Sequence, residues 1–181
     1  MKTIKILVLA FVIISTYSCS DDGDSVTLSE EEKMLVSAWK LESFQYTGTT
    51  TGNFEGIDLS SSYEGIGQDV DAVLTFKDNR TFNFEGSYDV LLSVTGFDGM
   101  LIPVENASSS GDWYIEGGYL YTSDAFGQVD NQMVQNPEDS RMRIQENTEN
   151  RLVLVIDQES EISENGVDYV VKLSGQYILT K

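Results

Sequence analysis

The sequence predicts an all-β protein, an antiparallel up-and-down meander of about 8 strands that closes into a barrel behind one short N-terminal helix. Apolar residues alternate with polar ones along most of the chain, and short Gly- or Asn-containing turns join the alternating runs. A meander of this size would also expose two strand edges unless it closed on itself. A two-sheet β-sandwich satisfies the same alternation and is the alternative.

The elements follow in order. Ser29-Glu30-Glu31-Glu32 is a capping box, with Met34 and Leu35 as an apolar edge, and predicts a helix over 30–36. The period then changes to two. Trp39 and Leu41 alternate with Lys40 and Glu42, and Ala72, Leu74 and Phe76 with Asp71, Thr75 and Lys77. Asp78-Asn79-Arg80 turns the chain into a strand whose Phe82, Phe84, Gly86 and Tyr88 share one face. Gly117-Gly118 joins the strand of Trp113 and Ile115 to Tyr119–Thr122. Thr148-Glu149-Asn150 joins Met142 and Ile144 to Leu152, Leu154 and Ile156, and the last strand alternates from Tyr169 to Leu179. Thr47–Gln68 and Ala125–Ser140 read as long loops, and Leu91–Val94 with Met100–Val104 as an additional hairpin.

Composition excludes much chemistry. The chain has 181 residues, 11 Lys plus Arg against 30 Asp plus Glu, no His and one Cys. No histidine-dependent nucleophilic relay, imidazole metal site or intramolecular disulfide is possible. A formal charge of -19 repels phosphate backbones, so no nucleic acid is expected as partner. Thirty carboxylates single out no catalytic pair, and the chain is expected not to be an enzyme. Asp21-Asp22-Gly23-Asp24 and Asp69-Val70-Asp71 lack the full EF-hand pattern, so no metal site and no cofactor are expected.

Lys2 and Lys5 followed by the apolar run Ile6–Ile14 read as an export signal over 1–18, too short to span a bilayer. The sole cysteine, Cys19, follows Ser18 where a signal peptidase would cut. This resembles the lipobox of bacterial lipoproteins, which implies acylation of Cys19, with chains such as palmitate, and membrane attachment through that lipid. Residues 19–28 read as an acidic flexible tether and 29–181 as the barrel domain. An acidic stretch after the lipidated cysteine resembles the surface-export signal of Bacteroidota lipoproteins and implies the exterior face of the outer membrane; the alternative is the periplasmic face.

A wider resemblance rests on Leu35-Val36-Ser37-Ala38-Trp39-Lys40-Leu41, Leu74–Phe82 with its Asp78-Asn79 turn, Gly111-Asp112-Trp113-Tyr114-Ile115, Gly118-Tyr119-Leu120 and a terminal hairpin. This order resembles the lipocalin-like lipoproteins of Bacteroidota over residues 30 to 181, with Ser37 where the family usually carries Gly. It implies a lipocalin-like barrel and a cell-surface address. The expected function is non-catalytic binding of a small hydrophobic ligand by a monomer, in a cavity lined by Trp39, Leu74, Phe76, Phe82, Phe84, Trp113, Leu154 and Leu173. Lys40, Lys77, Arg141, Arg143, Arg151 and Lys172 fall on the opposite face, which disfavours a fatty-acid carboxylate. The alternative is a packed interior and a glycan- or protein-binding surface, with Tyr46, Tyr63, Phe97, Tyr114, Tyr119 and Tyr121 as aromatic contacts.

Overall fold

One helix, α1 (Glu30–Leu35), precedes eight strands: β1 (Ser37–Phe54), β2 (Ile57–Phe76), β3 (Thr81–Val94), β4 (Phe97–Glu116), β5 (Tyr119–Thr122), β6 (Ser140–Asn147), β7 (Arg151–Glu164) and β8 (Val167–Thr180). The computed structural model describes residues 27–122, 125–126, 140–164 and 167–181. The expected signal peptide, Cys19, nearly all of the tether and residues 127–139 of the expected second loop lie outside these. Each strand pairs antiparallel with the next and β8 returns to β1, closing a ring of hydrogen bonds.

The strands rise and fall between two unlike ends. At one end lie α1, the turns at 77–80, 117–118 and 148–150, and the chain's last residue. Gly117 and Gly118 both take positive φ (60° and 80°), as a two-residue hairpin turn that matches strand twist requires. This end is shut. Ser29 caps α1 by accepting from the Glu32 N–H, and the Glu32 carboxylate accepts from the Ser29 N–H. The other Glu32 oxygen lies 2.7 Å from the Arg80 guanidinium, and Asn147 donates to the Glu31 carbonyl, so α1 is fastened to two different turns. The Trp39 indole N–H donates to the Leu35 carbonyl at 2.8 Å, and the Lys181 ammonium sits 4.4 Å from its ring centre.

Above this cap the interior is filled. Leu35, Trp39, Leu74, Phe76, Phe82, Phe84, Trp113, Leu120, Met142, Leu152, Leu154 and Leu179 are all at most 2% exposed and form one cluster. Removing each such side chain from water contributes about 1.5–3 kcal/mol. Most of the hydrophobic stabilisation therefore lies in the closed half.

Two expectations are corrected here. Thr47–Gln68 is not a loop but the far halves of β1 and β2, paired from Gln45↔Ile66 to Phe54↔Ile57 around the Glu55-Gly56 turn. Leu91–Val94 and Met100–Val104 do pair with each other, but as the outer ends of β3 and β4 around Thr95-Gly96 and not as a separate hairpin. The first stretch escapes an apolar/polar reading because glycine, serine and threonine occupy many of its inward positions; in the second the outward pair Leu91↔Leu101 is apolar as well as the inward Leu92 and Met100.

The far half is built differently. β5 and β6 pair with each other, but β5 covers only Trp113–Glu116 of β4 and β6 only Leu152–Val155 of β7. Beyond those stretches, among the described residues, β4 and β7 have ladder partners on one side alone. The eight-strand ring thus becomes a six-strand trough in the order β7-β8-β1-β2-β3-β4, which extends to the turns at 55–56 and 95–96 and, between β7 and β8, to the pair Glu164↔Val167.

Candidate functional site

Register fixes which side chains face into the trough. Bulges shift the pairing between Leu41 and Ser43 in β1, between Gln68 and Asp71 in β2, and between Gly86 and Tyr88 opposite β4. Past them the inward residues stack in rows. Phe44 lies level with Tyr177 and Leu154; Tyr46 with Gly65, Leu92 and Met100 on one side and Gly175 and Ile156 on the other. Gly48 lies level with Tyr63, Val94, Leu173 and Gln158, and Thr50 with Ser61, Val171 and Ser160.

An aromatic floor separates the trough from the packed half. Phe44 meets Tyr88 edge to face at 5.2 Å and stacks on Tyr177 at 5.7 Å. Phe126, beyond β5, reaches in from the gap between β4 and β7: its ring lies parallel to Tyr177 with centres 3.9 Å apart and meets Phe84 edge to face at 5.7 Å. The Tyr88 hydroxyl donates to the Phe126 carbonyl at 3.3 Å, which pins the backbone there as well.

The walls above the floor pair rings with glycines. Tyr63 lies on Gly48, Tyr46 on Gly65, Phe44 on Gly67 and Tyr169 on Gly52, each ring occupying the space that a Cβ on the glycine would need. Tyr46 and Tyr63 meet edge to face with centres 6.3 Å apart. Burial raises both phenols above their ordinary range, and the nearby Tyr63 raises Tyr46 further. Neither hydroxyl has a hydrogen-bond partner among the described residues.

Exposure changes sharply along the axis. Inward side chains that are almost fully buried below the floor give way to the half-buried Tyr46, Tyr63, Val94, Ile102, Ile156 and Leu173; Met100, in the Tyr46 row beside the buried Leu92, is 55% exposed, and Leu59 nearer the mouth 43%. Single exposed apolar residues are ordinary on a surface, but here they face inward and are contiguous. Phe97, 78% exposed, stands at the rim opposite Val94.

A concavity of about 620 Å³ lies across the same strands at the level of Gly48, Tyr63, Val94 and Leu173, which help to line it. Thr47, Thr49, Ser62, Ser93, Thr95 and Ser174 line it with hydroxyls, beside Glu64, Asp157 and Lys172. Lys172 is paired with Glu159 at 3.2 Å, and Ser62 and Thr95 hydroxyls lie 2.6 Å apart. No group of three potential metal-ligating side chains occurs among the described residues, and no helix there is long and apolar enough to cross a membrane.

Of the residues expected to line a cavity, Trp39, Leu74, Phe76, Phe82, Phe84, Trp113 and Leu154 sit below the floor at 0–1% exposure, with Phe76 and Trp113 edge to face at 5.4 Å. Leu173 stands apart from them, half-buried in the trough wall. Tyr46 and Tyr63, expected as surface contacts, turn inward. Tyr114 and Tyr121 stack at 4.6 Å on the outer face, and Arg141 lies 5.1 Å from the Tyr119 ring centre. The missed wall residues carried one signal, the period-two series Phe44-x-Tyr46-x-Gly48 opposite Tyr63-x-Gly65-x-Gly67. Compared with protein-family models, with curated proteins and with solved structures, the chain matches none.

Proposed function

We propose that this protein is a non-catalytic binding protein that holds a small apolar molecule in the open half of its barrel. One observation carries the reading: inward-facing apolar and aromatic side chains, most of them buried to the last few per cent below the Phe44–Tyr88–Tyr177 floor, are partly exposed above it at Tyr46, Tyr63, Val94, Ile156 and Leu173 and reach 43% at Leu59 and 55% at Met100. Concave, mostly apolar surface of this kind gains free energy when a ligand removes it from water.

Attachment through an acylated Cys19 belongs to the same proposal. Cys19 precedes Glu30 by 11 residues, which reach at most about 40 Å. Because α1 caps the closed end, such an anchor would hold that end to the bilayer and turn the mouth away from it, towards the outer medium for a protein on the cell surface.

Native mass spectrometry of the purified protein, before and after solvent extraction, tests the reading. A co-purifying small apolar mass that extraction removes and re-addition restores is the expected result; a bare protein mass that no apolar probe shifts would sink it. The hydroxyls of Thr47, Thr49, Ser62, Ser93, Thr95 and Ser174 around the 620 Å³ concavity favour a second reading, a surface module for a glycan. Glycan binding that persists when the trough is filled would support that one instead.

A further inference from the structure

We infer that the open half selects an electrically neutral amphiphile, an apolar body bearing hydroxyl or carbonyl groups, and discriminates against fatty-acid carboxylates. This rests on the open half being a ligand site, and it specifies the ligand's charge and polarity.

The first ground is the inward surface itself. From the floor up to the row of Gly52, Leu59 and Tyr169, the inward positions on the six strands are aromatic, aliphatic, glycine, Thr, Ser, Met or Gln and none carries a charge; Glu164, the last residue of β7, holds the same register one row further out. The second is where the cations went. Of the 11 Lys and Arg, Lys2 and Lys5 precede the barrel; Arg80 is held by Glu32 at the closed end, and the remaining eight are exposed. A carboxylate brought against this wall would lose hydration with no ammonium or guanidinium to replace it. The field of a chain with net charge -19 opposes its approach as well.

The third ground is polar but neutral. The Tyr46 and Tyr63 hydroxyls face inward without partners among the described residues, and Thr50, Ser61 and Ser160 form the next row towards the mouth. Phenol and alcohol groups donate to a carbonyl and accept from a hydroxyl equally well. Such a wall therefore rewards a ligand that is apolar at its deep end and carries uncharged hydrogen-bonding groups nearer the mouth. At the depth of Tyr46 and Tyr63 an ammonium head finds no inward carboxylate either, so neutrality and not anion rejection alone is the criterion there.

The test uses the full chain and three chain-matched probes, dodecanol, dodecanoate and dodecylammonium, each titrated in native mass spectrometry. The alcohol adduct should form at a concentration at least tenfold below either ion. A Leu173→Lys variant, which places a cation on the inner wall, should reverse the order of alcohol and carboxylate, a gain that a merely loosened barrel would not produce; circular dichroism checks that it folds. Carboxylate or ammonium binding as tightly as the alcohol would overturn the inference while leaving the ligand site standing. If no probe binds and no apolar mass co-purifies, the site itself is lost and the inference with it.

Discussion

The phenol ring of Tyr63 lies on the Cα of Gly48, its direct partner across the β1–β2 ladder, in the space a β-carbon would fill. Tyr46 and Gly65 repeat the arrangement one row closer to the floor with the strands exchanged. Each ring shields a stretch of bare backbone and, in return, is held against the wall instead of filling the trough.

A methyl group at either glycine must therefore displace a tyrosine. Gly48→Ala is expected to cost about 1–3 kcal/mol, the usual range for overpacking, read as a lower urea midpoint. Tyr63→Ala in the Gly48→Ala background should recover part of the loss, because the clash is gone. Simple additivity of the two changes would show that the ring and the glycine do not act as a unit.

Alkaline pH should weaken the fold through the same two phenols. Tyr46 and Tyr63 are raised above 10.0 in the folded protein, chiefly by burial. From about pH 10 upwards the unfolded chain has begun to release these protons while the folded chain still holds them, so the native state binds more protons and stability falls as pH rises. Below about pH 10 both states are protonated and neither residue contributes a slope. Urea midpoints across this window should decline less in the Tyr46→Phe, Tyr63→Phe double variant.

Glu32 joins the helix cap to the barrel. Its carboxylate accepts from the Ser29 N–H at 2.8 Å and contacts Arg80 at 2.7 Å while only 5% exposed, whereas Arg80 is 39% exposed. Discounting the ion pair for solvent on the arginine side, Glu32→Ala should cost about 2 kcal/mol, from roughly 1 for the cap and roughly 1 for the pair. Glu32→Gln keeps an acceptor for Ser29 and should lose about half as much by urea denaturation.

Phe126 contributes to the floor from outside the ladder. Phe126→Ala removes the parallel contact to Tyr177 and the edge contact to Phe84 and is expected to cost about 2–3 kcal/mol, below the value for a fully buried ring because Phe126 is partly exposed. The same variant should deepen the trough, so that native mass spectrometry detects longer-chain neutral adducts than the unaltered protein accepts.

The closed half was largely legible in the sequence. Its capping box, the Asn79 and Gly117-Gly118 turns, and the alternation of Trp39, Leu74, Phe76, Phe82 and Trp113 with charged neighbours all report a surface half in oil and half in water. The open half was not legible by that signal. In Thr47–Gln68 the inward residues include Gly48, Thr50, Gly52, Ser61, Gly65 and Gly67 beside Leu59 and Tyr63, because the wall is made by rings lying on glycines contributed by a neighbouring strand. One strand read alone shows polarity and flexibility; only the cross-strand register turns the two halves into a pattern. Phe126 was hidden for a different reason, since an isolated aromatic in a polar stretch has no period to place it.

Confining the complete ring to one end also divides the molecule's tolerance for change. The capped half carries the dense aromatic and aliphatic packing, so amide exchange there should approach the global unfolding limit, while the outer portions of β4 and β7, with one-sided ladders, should exchange through smaller openings. Substitutions near the mouth draw on that shallow local stability and leave the fold's main reserve untouched. A lineage of such proteins is free to rewrite its ligand preference at one end while the other keeps every version folded.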